Sequence, residues 1–408
     1  MQVSTPIAPR SRGLEFGIYR DGDNNLDSSQ AEVLAQARAV SAADSSIQFT
    51  VEDTGAVRHA KGDGLESDRY TIADGALSKV SRNPGDDMAD PRTLAQFVKR
   101  TLDNAEASGA RQTWIDLVDH GAGDGGGLEA DSFGRVMPMP QIAQAIADGV
   151  ALHAQAHPED ANRGVDGVVA NQCLMASMGF ADALSRAGVK YLAASPETML
   201  SPGVPSTVAE DIAAHLNDPG AMAKAVTSDV MRTRYATDEG AIGPAAAFDV
   251  LDLSPAKLAS AERAIKRFND DAAASAAGDT SVAQAINGDL RSVPGMVRFP
   301  DATPDMPWHA DRPAIAAFTA IASDGRLDAS LRNEASAAAA AVNDLILAHR
   351  ESTRFAPFGG SSYADAVGPT IHDPISKKQL DPWAPAISET DNAFYNAVDQ
   401  GTFAGAVA

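Results

Sequence analysis

Cys173 is the only cysteine among 408 residues, so neither a disulfide framework nor a cysteine-built zinc site is open to it. Packing or nucleophilic attack remains. The thiol follows Val168-Val169-Ala170-Asn171-Gln172, an apolar run that breaks into Leu174-Met175 as if a helix began there. Upstream, Trp114-Ile115-Asp116-Leu117-Val118-Asp119 ends in His120 and Gly121. A thiol and an imidazole at neighbouring strand ends make a candidate Cys-His dyad for acyl transfer. The backbone N–H groups of Gly121 and Cys173 stand beside the reacting side chains as a candidate oxyanion hole. A helix N-terminus directly after Cys173, together with a nearby imidazole, is expected to favour thiolate over a thiol of ordinary pKa near 8.5. Gly121, lacking a β-carbon, lets a substrate carbonyl approach the main chain. Against this stands a plain reading in which Cys173 is a small buried hydrophobe and His120 an unrelated strand-end residue; residue types alone leave the two evenly matched.

The elements that must position this pair alternate strand and helix. Leu14–Tyr19 and Ile47–Val51 read as strands, Arg69–Ile72 as part of a side hairpin, and Asp90-Pro91 as the N-cap and first turn of a helix running through Leu102. A third strand ends at His120 and a hairpin follows over residues 128 to 139. A helix then covers 140 to 155, and a fourth strand runs from Val165 to Cys173. A helix from Leu174 to Arg186, a fifth strand over Lys190–Ser195 and a sixth over Ala245–Leu251 complete the series. Such alternation implies an α/β fold with a doubly wound, mostly parallel sheet flanked by helices. In such sheets reacting groups gather at the carboxyl ends of the strands. Residues 1–12 read as a disordered tail, 13–255 as the domain that carries the dyad, and 256–408 as a mainly helical, alanine-rich C-terminal region with an extended segment at 359–371.

The surface is acidic. Asp and Glu number 55 against 33 Lys and Arg, a formal net charge of -22. Nucleic-acid readers need clustered basic residues, so no nucleic-acid partner is expected. No stretch approaches the roughly 20 apolar residues of a membrane helix, so no membrane association is expected. The first twelve residues lack the apolar centre of a secretory signal, which leaves secreted and cytoplasmic locations both open.

Gly121-Ala122-Gly123-Asp124-Gly125-Gly126 fits G-x-G-x-x-G, the basis for an alternative nucleotide-binding oxidoreductase. The fingerprint needs a helix directly after its glycines, whereas a hairpin pattern follows here. Asp21, Asp23 and Asn25, with Glu32 in the twelfth place, partly copy a calcium loop, but Leu26 holds the position that wants glycine. His59, His215, His309, His349 and His372 show no ligand spacing.

His120-Gly121, Asn171-Gln172-Cys173-Leu174-Met175-Ala176-Ser177, Asp23-Asn24-Asn25-Leu26 and Tyr191-Leu192-Ala193-Ala194-Ser195-Pro196-Glu197 together resemble the clostripain family of cysteine peptidases, in the caspase-like clan. The resemblance covers roughly residues 13 to 255. It implies a caspase-like fold, Cys173 as nucleophile, His120 as general acid/base, and Gly121 and Cys173 amides holding the oxyanion. It also implies a peptide or protein substrate, no required cofactor, and calcium dependence as an open question; a monomer is expected. The family usually carries an aspartate two residues before the nucleophile to fix a P1 Arg or Lys. Asn171 stands there instead and cannot supply that charge, so P1 preference is expected to shift unless Glu197 or Asp211 compensates. Family members are often cut once to become active, and the polar segment from His153 to Gly164 is a candidate site for such a cut, or an ordinary loop. A non-catalytic caspase-like peptide-binding module remains the alternative.

Overall fold

The computed structural model describes residues 12–27, 32–55, 66–121, 123, 127–130, 133–199, 203–232, 235–237, 240–242, 247–294, 311–351 and 366–372. The expected N-terminal tail up to residue 11, the glycine run apart from Gly121 and Gly123, His59, His309, and the first part of the extended segment at 359–371 lie outside these.

Among the described residues, nine strands form one mixed sheet. At its centre are β1 (Leu14–Gly22), β2 (Ile47–Gly55), β5 (Gln112–Val118), β8 (Gly167–Asn171) and β9 (Tyr191–Ala194). They lie parallel in the order β9-β8-β5-β1-β2. Antiparallel strands complete both edges: β3 (Glu66–Ala73) and β4 (Ala76–Pro84) beyond β2, and β12 (Ala247–Asp252) and β14 (Ile346–Glu351) beyond β9. Smaller hairpins are β6 (Gly127–Ala130) with β7 (Arg135–Pro138) and β10 (Tyr235–Thr237) with β11 (Gly240–Ile242); β13 (Asp311–Pro313) pairs with β15 (Thr370–His372). All nine residues of β1 are buried, as a central strand covered on both faces requires.

Among the described residues, ten helices cover the faces: α1 (Val33–Ala43), α2 (Pro91–Ser108), α3 (Met139–Ala156), α4 (Met178–Arg186), α5 (Val208–Ala214), α6 (Pro219–Arg232), α7 (Pro255–Gly278), α8 (Thr280–Ser292), α9 (Ala314–Ser323) and α10 (Ala329–Asn343). Alternation along β5 divides the core between them. Ile115 and Leu117 enter one cluster with Phe97, Ile146, Phe180 and Phe268, while Trp114 and Val118 enter the other with Val33, Ile212 and Val226. The first cluster also takes Phe318, Leu331 and Leu345, so the described C-terminal helices share its apolar surface. Asp90 caps α2 through the Arg92 N–H at 2.8 Å, with Pro91 in the first turn and Gly109 left-handed at its end. No described helix is long and apolar enough to cross a membrane.

One boundary departs from the expectation. The fourth strand ends at Asn171, and α4 starts at Met178 rather than Leu174. Leu174 has φ of 66°, and the chain there is tied to its neighbours instead of to a helix of its own: Leu174 N–H donates to Glu197 O at 3.0 Å and Ala176 N–H to Ser195 O at 3.0 Å. Thr370 N–H donates to Ala176 O at 2.8 Å from the other side. These partners take the segment away from helix, and Ser177 supplies the cap, accepting from Phe180 N–H at 3.1 Å.

Candidate active site

The chain leaves β1 toward β2 on one side and returns to β5 on the other, so β1 and β5 flank a switch point of the sheet. Loops at the carboxyl ends of β1, β5 and β8 meet there, where α/β sheets place their ligands. Asp119 joins the first two, its Oδ1 accepting from Asn24 Nδ2 and from the His120 backbone N–H, both at 2.6 Å. His120 Nε2 donates to Asn25 Oδ1 at 2.6 Å. That bond fixes the proton on Nε2 and leaves the lone pair of a neutral ring on Nδ1.

Gln172 joins the second loop to the third. Its Nε2 donates to His120 O at 2.6 Å and to Gly127 O at 3.2 Å. At Gly121 the backbones nearly touch: a β-carbon there would overlap the Cys173 carbonyl oxygen and sit 2.9 Å from Gln172 Cβ. Glycine is required by this approach. Among the described residues, neither the Gly121 nor the Cys173 backbone N–H donates to a protein acceptor. A Gly121 β-carbon would stand 3.1 Å from the Cys173 nitrogen, so the two candidate oxyanion donors belong to adjoining backbone.

Cys173 Sγ accepts from Met199 N–H at 3.2 Å and lies 3.7 Å from Met199 O. Burial of the sulfur pushes the thiol pKa up; the Met199 N–H lowers it, and the Glu197 carboxylate raises it. The expected thiolate-favouring helix end is absent, because α4 starts beyond Ser177. Among the described residues His120 and Cys173 make no hydrogen bond to each other.

Asn171 is buried, its Oδ1 accepting from Val204 N–H at 2.7 Å and its Nδ2 donating to Val204 O at 3.1 Å. A β-carbon on the left-handed Gly203 would overlap Asn171 Oδ1. The carboxamide thus pins the 203–204 backbone. Glu197 is fully buried, and its Oε2 accepts from Thr198 N–H at 2.9 Å. Asp211, on α5, is raised to about 6 by burial and by Asp229. In the β1 loop, Asp21 Oδ1 accepts from Asp23 N–H at 3.0 Å, and burial holds the Asp21 carboxyl well above its ordinary range. Asn25 Oδ1 serves His120. After the glycine run comes the β6–β7 hairpin, where a dinucleotide fingerprint would need a helix. Sequence reading missed the stitching roles of Asn25, Gln172 and Met199, since only tertiary contacts reveal them.

A nine-stranded mixed sheet with a parallel centre, flanked by helices, is the caspase-like fold of the C11, or clostripain-family, cysteine proteases. The X-ray structure of an inactive zymogen C11 protease from Parabacteroides distasonis matches with a TM-score of 0.65 and 14% identity, over 96% of this chain and 99% of that one. A secreted C11 cysteine protease from Bacteroides thetaiotaomicron, in complex with an irreversible peptide inhibitor, matches with a TM-score of 0.65 and 13% identity over the same shares. Another structure of a secreted C11 protease from that organism, "iotapain", gives 0.62 and 15%, over 95% and 99%. At these identities the likeness is one of fold. No protein-family model matches the chain, and no curated protein does.

Proposed function

We propose that the protein is a cysteine endopeptidase in which Cys173 is the nucleophile and His120 the general acid/base. The observation that carries this is the backbone contact of Gly121 with Cys173, which sets imidazole loop, thiol loop and two available N–H donors together at the carboxyl ends of β5 and β8. His120 Nδ1 takes the thiol proton, and the thiolate attacks the scissile carbonyl carbon. The resulting oxyanion is held by the Gly121 and Cys173 N–H groups. The imidazolium then gives its proton to the leaving amine as the C–N bond breaks, leaving a thioester. Water, deprotonated by His120, attacks the thioester; the acid departs and the thiol regains its proton.

The chemistry needs no cofactor, and the substrate is a peptide or protein, bound by a monomer. P1 preference lies away from Arg and Lys, because Asn171 brings no charge and its carboxamide is engaged by Val204. A fluorogenic P1 library, run on wild type and Cys173→Ala with and without calcium, tests the reading. Mass spectrometry after treatment with a peptidyl acyloxymethyl ketone locates the adduct. Turnover lost in the variant and an adduct on Cys173 support it; turnover unchanged in the variant overturns it. A non-catalytic peptide-binding module is favoured by the raised thiol pKa and by the engagement of His120 with Asn25. Peptide binding with no adduct on Cys173 would select that reading.

A further inference from the structure

A second cluster of chemistry-bearing side chains lies where α2 and α3 end, at the edge of the sheet from which β5 and β8 start, opposite Cys173. His153, in the last turn of α3, is fully buried. Its Nδ1 donates to Asp103 Oδ1 of α2 at 2.9 Å. With that proton on Nδ1, a neutral ring has its lone pair on Nε2. Nε2 is buried and has no hydrogen-bond partner among the described residues; what it faces is Asp160 Oδ2 at 3.6 Å. A carboxylate oxygen of Glu106, a ring nitrogen of His153 and a carboxylate oxygen of Asp160 all lie within 4.8 Å of one another.

A buried acceptor such as His153 Nε2, turned toward a carboxylate oxygen, is costly unless a proton or a cation joins the two. A separation of 3.6 Å is too long for a hydrogen bond. It is close to the roughly 3.4 Å between two ligand atoms of a tetrahedral zinc ion with bonds of about 2.0–2.1 Å. The surroundings match the way metal-binding imidazoles are held, with a carboxylate on the far ring nitrogen. His157, one helical turn after His153, stacks on its ring at a centroid distance of 4.9 Å, and its Nδ1 lies 2.5 Å from Glu106 Oε2. Asp103, Glu106, Glu159 and Asp160 outnumber the cations beside them, Lys99 on Asp103 and Arg163 on Asp160. Imidazole with carboxylate donors suits zinc and its neighbours better than calcium or magnesium.

We propose that His153, Asp160 and Glu106 bind one divalent transition-metal ion of the zinc class, with Asp103 orienting His153 and His157 orienting Glu106. The ion would tie α2 to the Pro158–Asp160 turn and hence to the segment that leads into β8, where Arg163 already reaches Ala110 O at 2.9 Å. It is a staple rather than part of the peptidase chemistry.

The test uses chelator-stripped full-length Cys173→Ala protein, so that metal on the thiol cannot be mistaken for this site. Zinc is added in a calorimetric titration, and cobalt in a parallel one followed by visible absorption. One ion per chain, a cobalt spectrum of nitrogen and oxygen ligation, and a zinc-dependent slowing of tryptic cleavage at Arg163 are expected. Asp160→Asn and Glu106→Gln, both at partly exposed positions, should abolish binding, and Asp103→Asn should weaken it about 10-fold or more. His153→Ala is supplementary, because a buried ring is lost with it. No saturable binding, or binding unchanged in Asp160→Asn and Glu106→Gln, overturns the proposal. Its failure leaves the Cys173 reading untouched, since these variants carry no role there.

Discussion

Gly121 packs so tightly on Cys173 that a β-carbon would overlap the Cys173 carbonyl oxygen and lie 3.1 Å from its nitrogen. Gly121→Ala must therefore push the His120 and Cys173 loops apart. A displacement of about 1 Å at reacting groups costs on the order of 100-fold. We expect kcat/KM to fall by about that factor, while iodoacetamide still alkylates Cys173. An alanine variant with wild-type turnover would show that the contact does not set the site.

Asn25 is the partner of His120, at 2.6 Å from Nε2. Asn25→Ala removes the acceptor that fixes the ring's tautomer, and kcat should fall about 10-fold with KM little changed, a fraction of the 100-fold or more that general acid–base catalysis supplies. Asn25→Asp places a carboxylate against the ring and favours imidazolium, so the acid limb of the pH–kcat/KM profile should move to higher pH. Identical profiles for wild type and both variants would remove Asn25 from the machinery.

Burial and the Glu197 carboxylate both disfavour a Cys173 thiolate, against the pull of the Met199 N–H. Alkylation by iodoacetamide should therefore keep rising with pH beyond the ordinary thiol range of about 8.5. Glu197→Gln deletes the charge and keeps an oxygen for the Thr198 N–H, so its alkylation curve should move to lower pH. Superimposable curves would mean that the sulfur does not feel Glu197.

The strand ends that carry His120 and Cys173 were legible because parallel strands covered on both faces read as apolar runs, and β5 and β8 are buried along nearly their whole length. Where the same logic failed, long-range bonds decide. Leu174–Ser177 is apolar enough to read as the start of a helix, yet Glu197, Ser195 and Thr370 hold Leu174 and Ala176 out of one. The edge strand β14, Ile346–Glu351, carries His349, Arg350 and Glu351 and follows directly on the alanine-rich α10, so its sequence blends into helix. Its pairing with β12 could not be read locally. The segment from His153 to Gly164 read only as a loop or a cleavage site, because Asp103 and Glu106 lie on another helix, which only packing brings near.

Glu15 is fully buried in β1, accepting from Thr50 Oγ1 at 2.6 Å and Gln48 Nε2 at 3.0 Å, and burial pushes its pKa up to about 8. The folded value lies above the ordinary 4.5. The folded chain thus keeps this proton where the unfolded chain has lost it, and stability from Glu15 is complete below 4.5 and is lost as pH rises toward about 8. Tm should fall between pH of about 5 and 9 in wild type and fall less in Glu15→Gln, the two slopes being read by calorimetry. Equal slopes would show that Glu15 titrates normally in the fold.

Asn171 holds the Val204 backbone as a matched pair, donor to carbonyl and acceptor to N–H. An ionised aspartate keeps the acceptor but turns an oxygen onto Val204 O where Nδ2 had donated. It would also bring a second carboxyl group near Asp116, which is buried and held well above its ordinary range by that burial. Asn171→Asp should therefore lower Tm, with a loss of about 1–3 kcal/mol for the broken pairing, and should not by itself confer cleavage after Arg or Lys. The same P1 library, applied to the variant, checks this. Gain of Arg or Lys cleavage with unchanged Tm would mean that the side chain turns from Val204 into the substrate cleft, and that the residue two before the thiol sets P1 preference directly.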